Sequence, residues 1–190
     1  MAEREPGDTA VDAVLRSALK GQYHAALAML RQAIELCPEG IWSGEGRGVP
    51  FWRIAYHALY YTHLYLQRDE ASFTPWELHQ TGLQDLDDVP APPHLQELLE
   101  LPHRPPRTGV PYSKAELLAY WSICDGMVDD AVDALDVLAL ETGFSWHTPS
   151  RPKVEQHMGN IRHIQHHTAN LAGRVHEASG VGVDWVSTRH

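Results

Sequence analysis

The sequence is poor in the features that mark exported or membrane-spanning proteins. It has only two cysteines, Cys37 and Cys124, which lie far apart and share no close-spaced motif. This argues against a disulfide scaffold and against a cysteine zinc site. No apolar run approaches the roughly 18 residues of a membrane span, and residues 1–8 are charged and lack the apolar core of a secretory signal. We therefore expect two buried thiols in a cytoplasmic protein with no membrane partner.

Basic residues are also scarce. There are 15 lysines and arginines against 25 aspartates and glutamates, giving a formal net charge of −10 with histidine neutral. Nucleic acids and anionic membranes both attract basic surfaces, so the composition argues against either partner. With 190 residues, 43% of them hydrophobic, the chain is long enough for one domain with a sizeable core. We expect a single domain over residues 1–190, with 1–8 and 181–190 flexible.

Apolar residues recur at helical spacing in four long segments, and no segment of useful length alternates as a strand does. The predicted helices cover residues 10–36, 50–67, 114–140 and 153–178. Ser113 followed by Glu116 is a capping box at the start of the third helix, and Gly180 is expected to end the fourth. Residues 38–49 are rich in glycine, which predicts a loop, and its Trp42 is expected to plug the core.

The connection over residues 68–112 is long and rich in proline, with a short helix predicted over 93–101. Connections of this length are unusual in compact domains. They are typical of a crossover that lets neighbouring helices run in an order other than simple up-and-down. The expected fold is therefore all-α: a four-helix bundle with a long connection between the second and third long helices.

Histidine is the outlier of the composition, with 13 residues. His163 and His167 are four residues apart on the last predicted helix, which puts both rings on one face. Such a pair is a two-point clamp for a transition metal. His57, in the middle of the apolar second helix, is the best third ligand, because bundles build metal sites from facing helices. An all-histidine set suits Zn, Ni, Fe or Cu and argues against Mg or Ca.

The other histidines are given different roles. His166 points about 100° away from each helical neighbour, which predicts a surface or outer-shell position. His157 is expected to lie off the site but remains a reserve ligand. His63 is placed on the opposite side of its helix from His57, as a structural residue. The histidines expected in solvated loops are His94, His103 and His147.

Two stretches resemble one protein family. FWRIAYHALYYTHLYL (51–66) resembles the second helix of the DinB/YfiT-like four-helix proteins, and RHIQHHTANL (162–171) resembles their last-helix motif N-H-x-x-H-H-R-G-Q-(L/I). Matched residue by residue, the family's three metal-binding histidines fall on His57, His163 and His167. The resemblance implies a bundle with a divalent metal at one end, often dimeric. Some members are thiol-dependent transferases or isomerases, and others are hydrolase-like.

The sequence departs from this motif around the ligands. Arg162 stands where the family often has Asn, and residues 168–170, Thr-Ala-Asn, replace Arg-Gly-Gln. The ligand positions therefore match while the neighbouring positions, which orient and tune ligands, do not. This leaves metal binding intact as an expectation and leaves the activity open.

Two hypotheses follow. The first is a metal-dependent enzyme of DinB type, in which three histidines hold one divalent transition metal (Zn, Ni or Fe) that activates a water or a thiol for hydrolysis or small-molecule thiol transfer. No catalytic residue is assigned, although Tyr60 or Tyr61 could assist by hydrogen bonding. The second is a non-catalytic helical dimer or binding module whose histidines form a structural or vestigial site. Access separates them, because an enzyme needs an open coordination position.

Overall fold

The structure is a computed structural model that describes residues 6–44, 48–86, 109–147 and 151–188, with side chains from residue 10 onward. Every regular element in these ranges is helical, which confirms the all-α prediction. The elements are α1 (Pro6–Leu36), α2 (Glu39–Trp42), α3 (Phe51–Tyr65), a 3₁₀ turn (Glu70–Ser72), α4 (Lys114–Asp133) and α5 (Lys153–Ser179). None of these helices is both long and apolar enough to cross a membrane.

Four of the helices pack against one another. α1 packs against α4 and α5, and α3 packs against the same two helices. α3 and α5 run in opposite directions: Asn160 donates to the Thr62 carbonyl oxygen at 3.4 Å, and Lys153, at the start of α5, donates to the Gln67 carbonyl oxygen just past the end of α3. This packing brings the middle of α3, where His57 lies, beside the middle of α5.

The core is formed by apolar and aromatic side chains from all four long helices. The largest fully buried side chains include Tyr23, Leu27, Leu30, Ile34, Phe51, Tyr56, Leu59, Leu117, Tyr120, Ile164 and Leu171. Trp42 is also buried and donates from Nε1 to the Tyr112 carbonyl oxygen at 2.8 Å, so its predicted role as a plug is confirmed. The loop predicted around it contains the short helix α2.

The end of α4 differs from the prediction. The helix stops at Asp133 and does not reach residue 140. Arg16 of α1 donates to the carbonyl oxygens of Asp133 at 2.9 Å and Leu135 at 2.6 Å, which are groups that a helix end leaves without partners. Leu138, which lies within the predicted helix, is 69% exposed. The hydrogen bonds from Arg16 of α1 therefore stabilise the end of α4 at Asp133.

The described residues nearest the two ends of the chain are partly ordered by helices. α1 begins at Pro6, earlier than the predicted residue 10, and residues 1–5 lie outside the described residues. Near the other end, the Gln32 side chain accepts from the Asp184 N–H at 2.9 Å and donates to the Asp184 carbonyl oxygen at 3.3 Å. Residues 181–188 therefore lie along α1. The short helix predicted over 93–101, with His94, falls outside the described residues, as does His103.

The capping box at the start of α4 gives a stability prediction. The Ser113 Oγ accepts from the Glu116 N–H at 3.3 Å, and Glu116 Oε2 accepts from the Ser113 N–H at 2.7 Å. We expect Ser113→Ala to lower the free energy of unfolding by about 1 kcal/mol. Ser122→Ala, on an exposed position of the same helix, should change it by less than about 0.5 kcal/mol. Urea denaturation measures both, and equal losses would contradict a specific capping role.

Candidate metal centre

Three histidine rings from two helices converge on one point. Nε2 of His57, on α3, is 3.0 Å from Nε2 of His163, and Nε2 of His167 is 3.1 Å from the same atom. The three candidate ligand atoms all lie within 4.8 Å of one another. The structure thus brings together the three histidines singled out in the sequence, although one is about a hundred residues from the other two.

The spacing fits a shared metal ion. Two nitrogens bound at about 2.0–2.1 Å to a tetrahedral ion lie about 3.3 Å apart, and about 2.9 Å apart when the ion is octahedral. The two separations measured at His163, 3.0 Å to His57 and 3.1 Å to His167, fall within that interval, and all three candidate ligand atoms lie within 4.8 Å of one another. Three nearby histidines could therefore bind one ion through their Nε2 atoms.

The hydrogen bond of His57 indicates which of its nitrogens carries the lone pair in the neutral ring. His57 Nδ1 lies 2.6 Å from the Gln84 carbonyl oxygen. A carbonyl only accepts, so in the neutral ring Nδ1 carries the hydrogen and Nε2 carries the lone pair. The lone pair then points toward His163 and His167. A backbone carbonyl that accepts from the other ring nitrogen is a usual outer support of a histidine that binds a metal.

The site is half-buried, and the side chain of His167 is uncharged. All three histidines have intermediate exposure, so the site is not sealed from solvent. Burial lowers the pKa of His167 to about 3, and the neighbouring His163 and His166 act in the same direction. His167 is therefore neutral near physiological pH, which is the form that binds metals.

Tyrosines line one side of the site. The Tyr61 ring lies 4.8 Å from the His57 ring and 5.7 Å from the His163 ring. Tyr60 instead stacks on His79 at 5.2 Å, and its pKa is raised by burial and then by the charge of Asp85. Of the two predicted helpers, Tyr61 thus makes the ring contacts with the histidine cluster.

The other histidines on α3 and α5 occupy different surroundings. His166 is exposed, with its ring 4.9 Å from that of His167. The reserve ligand His157 is buried, and its Nδ1 lies 3.0 Å from the Tyr23 hydroxyl, away from the three-histidine cluster. His63 is buried against Tyr120, and its Nδ1 lies 3.1 Å from the Tyr120 hydroxyl. Burial lowers the pKa of His63. Its structural role agrees with the sequence interpretation.

His147 was predicted to lie in a solvated loop, and this is wrong. It is 5% exposed, its Nδ1 lies 2.7 Å from Thr142 Oγ1, and its ring stacks on Tyr65 at 5.8 Å. The segment after α4 packs against the end of α3, partly because the Lys153 Nζ donates to the Thr142 carbonyl oxygen at 2.8 Å. Glycine and proline near His147 indicated a loop correctly but did not reveal that the loop is packed.

Sequence reasoning missed the support of His57. Gln84 acts through its backbone carbonyl, which any residue could provide, so no side-chain pattern identifies it. The available signal was Arg53, the one lysine, arginine or acidic residue in the apolar sequence of α3. A charged residue in such a helix is rarely buried unless paired, and Arg53 is only 9% exposed.

Comparison with known proteins adds no identity: no family model, no curated protein and no solved structure matches this chain. The site must therefore be interpreted from its own geometry.

The buried His157 gives a prediction about acid stability. Burial, and then the charge of Lys153, lowers its pKa from an ordinary 6.5 to about 4. Between these values the unfolded chain binds a proton that the folded protein does not, so the free energy of unfolding falls as the pH drops. The loss reaches about 3 kcal/mol at pH 4 relative to neutral pH.

The variant His157→Asn isolates this effect. Asparagine retains a polar partner for the Tyr23 hydroxyl but does not titrate, so the variant should be less stable at neutral pH yet lose less stability on acidification. Chemical denaturation of chelator-treated protein from pH 7.5 to pH 4 measures the two slopes. Identical slopes for wild type and variant would show that His157 is not the titrating group.

Proposed function

We propose that this protein is a metal-dependent enzyme of DinB type that holds one divalent transition metal on His57, His163 and His167. The observation that carries the proposal is the convergence of three Nε2 atoms, with separations of 3.0 Å and 3.1 Å at His163. The carbonyl that fixes the His57 ring adds to it. The arrangement of four packed long helices and the long connection between α3 and α4 support a DinB-like four-helix bundle.

The ligand set bears on the metal and on the chemistry. Three imidazole nitrogens favour Zn, Ni or Fe over the oxygen-seeking Mg or Ca. A bound ion would supply Lewis acidity toward a water, a thiol or a substrate carbonyl. Structural zinc sites carry four protein ligands, whereas three leave a position open. The intermediate exposure of the three histidines supports this open, catalytic form.

The side chains of the site have separate roles in this proposal. The Gln84 carbonyl keeps a hydrogen of His57 on Nδ1, so that Nε2 faces the ion, and burial keeps His167 neutral, so that this ring binds without first losing a proton. Tyr61 packs against His57 and His163 and is the group best placed to exchange a proton with a substrate. The reactions proposed are hydrolysis or thiol transfer on a small molecule, by a cytoplasmic homodimer, as the family resemblance implies.

The second candidate is a non-catalytic helical dimer or binding module with a structural or vestigial site. The observation that favours it is the change at the positions flanking the ligands. Arg162 and Asn170 replace the family's usual residues, and both are exposed. Side chains at the surface do not orient the ligands as outer-shell partners do. In this alternative the ion would stabilise the packing of α3 on α5 and perform no reaction.

Metal content tests the site. In protein purified without an affinity tag, elemental analysis should find about one ion per chain. His57→Ala and His163→Ala should each lose it, because two imidazoles bind far more weakly than three. His166→Ala is the matched control: it removes an exposed histidine beside a ligand and should retain the ion. A wild type without metal after reconstitution, or equal loss in His166→Ala, would contradict the proposal.

Activity separates the two candidates. Zinc-loaded protein should hydrolyse activated esters or transfer a small thiol, and His57→Ala should abolish this. Tyr61→Phe should lower kcat by about tenfold or more at unchanged metal content, because a positioned proton donor contributes at least that much. Tyr60→Phe, whose ring stacks on His79, should have a smaller effect. A protein that retains the ion but is inert toward both substrate classes would favour the binding module.

A further inference from the structure

A buried arginine holds the backbone that supports His57. Arg53 donates from Nε to the carbonyl oxygens of Leu83 at 3.2 Å and Asp85 at 3.1 Å, and from Nη2 to that of Gly82 at 3.0 Å. Gln84, whose carbonyl oxygen accepts from His57, lies between these residues. The guanidinium thus binds the carbonyls on both sides of the one that contacts the metal ligand.

Arg53 and His57 are adjacent on one helix face. They are four residues apart on α3, about one helical turn. Both side chains meet the same segment of backbone, one through its guanidinium and the other through Nδ1. A rigid helix therefore fixes the spacing between the ligand and the group that anchors its support.

The supported segment has a hydrogen bond of its own, from the Gly82 N–H to Gln84 Oε1 at 2.9 Å, and is also held by contacts from outside itself. Residues 82–86 are in neither helix nor strand, and Gly82 has a φ of +88° that favours glycine. The Leu83 side chain is buried, which anchors the segment in the core. Anchoring by an apolar side chain does not orient carbonyl groups, and backbone outside a regular element has no ladder to orient them either. The planar guanidinium of Arg53 orients these carbonyl groups through its hydrogen bonds to Gly82, Leu83 and Asp85.

We propose that Arg53 is a positioning residue of the metal centre. By binding the backbone of Gly82–Asp85, it places the Gln84 carbonyl against His57 Nδ1, which fixes the ring orientation and the tautomer that presents Nε2. The effect on metal affinity rests on the proposed function. The effect on the His57 tautomer concerns the metal-free protein and can be measured separately.

The chain contains a matched control for this role. Arg16 also donates to backbone carbonyls, those of Asp133 and Leu135 at the end of α4. That segment is separate in the chain from Gly82–Asp85, which carries the carbonyl that accepts from His57. Arg16→Met therefore removes a comparable set of hydrogen bonds and costs stability without disturbing the support of the ligand.

The first readout is zinc affinity, measured by competition with a chromophoric chelator on the full-length protein. We expect Arg53→Met to weaken zinc binding by about 10- to 100-fold, the usual effect of losing an outer-shell support. Arg16→Met should bind zinc as the wild type does. Gly82→Ala leaves Arg53 in place but strains the backbone that Arg53 binds, so it should weaken binding in the same direction, and it serves if Arg53→Met does not fold.

The second readout is the His57 tautomer in chelator-treated protein at pH 8, from nitrogen-15 NMR of the imidazole. The wild type and Arg16→Met should show the tautomer with the hydrogen on Nδ1. Arg53→Met and Gly82→Ala should each show a mixture of the Nδ1–H and Nε2–H tautomers. The positioning role is overturned if a folded Arg53→Met retains the wild-type tautomer, or if Arg53→Met does not fold and Gly82→Ala retains it. It is also overturned if Arg16→Met weakens zinc binding as much as Arg53→Met does. If the wild type binds no zinc, the metal proposal fails, and the tautomer comparison still decides the role of Arg53.

Discussion

The antiparallel packing of α3 against α5 is the constraint on which the site depends. It places the middle of the apolar helix α3 beside the middle of α5, so that the single histidine His57 meets the i, i+4 pair His163 and His167. The hydrogen bond from His57 to the Gln84 carbonyl then directs the lone pair into the cluster. Without the packing the rings would not meet, and without the hydrogen bond the tautomer of His57 would be left to chance.

α5 differs from a helix that serves packing alone. Several of its buried positions are polar, namely Gln156, His157, Asn160 and Thr168. Burying such groups costs free energy unless they are hydrogen-bonded, and the Tyr23 hydroxyl offsets part of this cost by bonding to His157 and Asn160. An apolar helix would hold the core together at lower cost. The polar inner face of α5 is therefore a feature that core packing alone does not explain.

Local patterns predicted much of the fold and the ligands. Helical periodicity located the four long helices, the Ser113–Glu116 pair marked the start of α4, and Gly180 closes α5 in the left-handed conformation. The four-residue spacing of His163 and His167 was enough to indicate a clamp. These features depend on residues within one or two helical turns, which is the range over which sequence patterns are informative.

The features that escaped prediction depend on contacts distant in the chain. α4 ends early where Arg16, 117 residues before Asp133, binds its last carbonyls. His147 is buried because a loop packs against α3, and Gln84 supports His57 through a backbone atom that carries no sequence signal. The place of His57 in the apolar second helix made it the candidate third ligand, and the family resemblance agreed, but only the folded chain brings its Nε2 within 3.0 Å of that of His163.

The most direct test of the account is a crystal structure of the metal-loaded protein with anomalous diffraction at the absorption edge of the ion. One anomalous peak is expected about 2.0–2.1 Å from the Nε2 atoms of His57, His163 and His167, with the Gln84 carbonyl oxygen still accepting from His57 Nδ1. A peak bound elsewhere, or three rings turned apart with no ion between them, would contradict it.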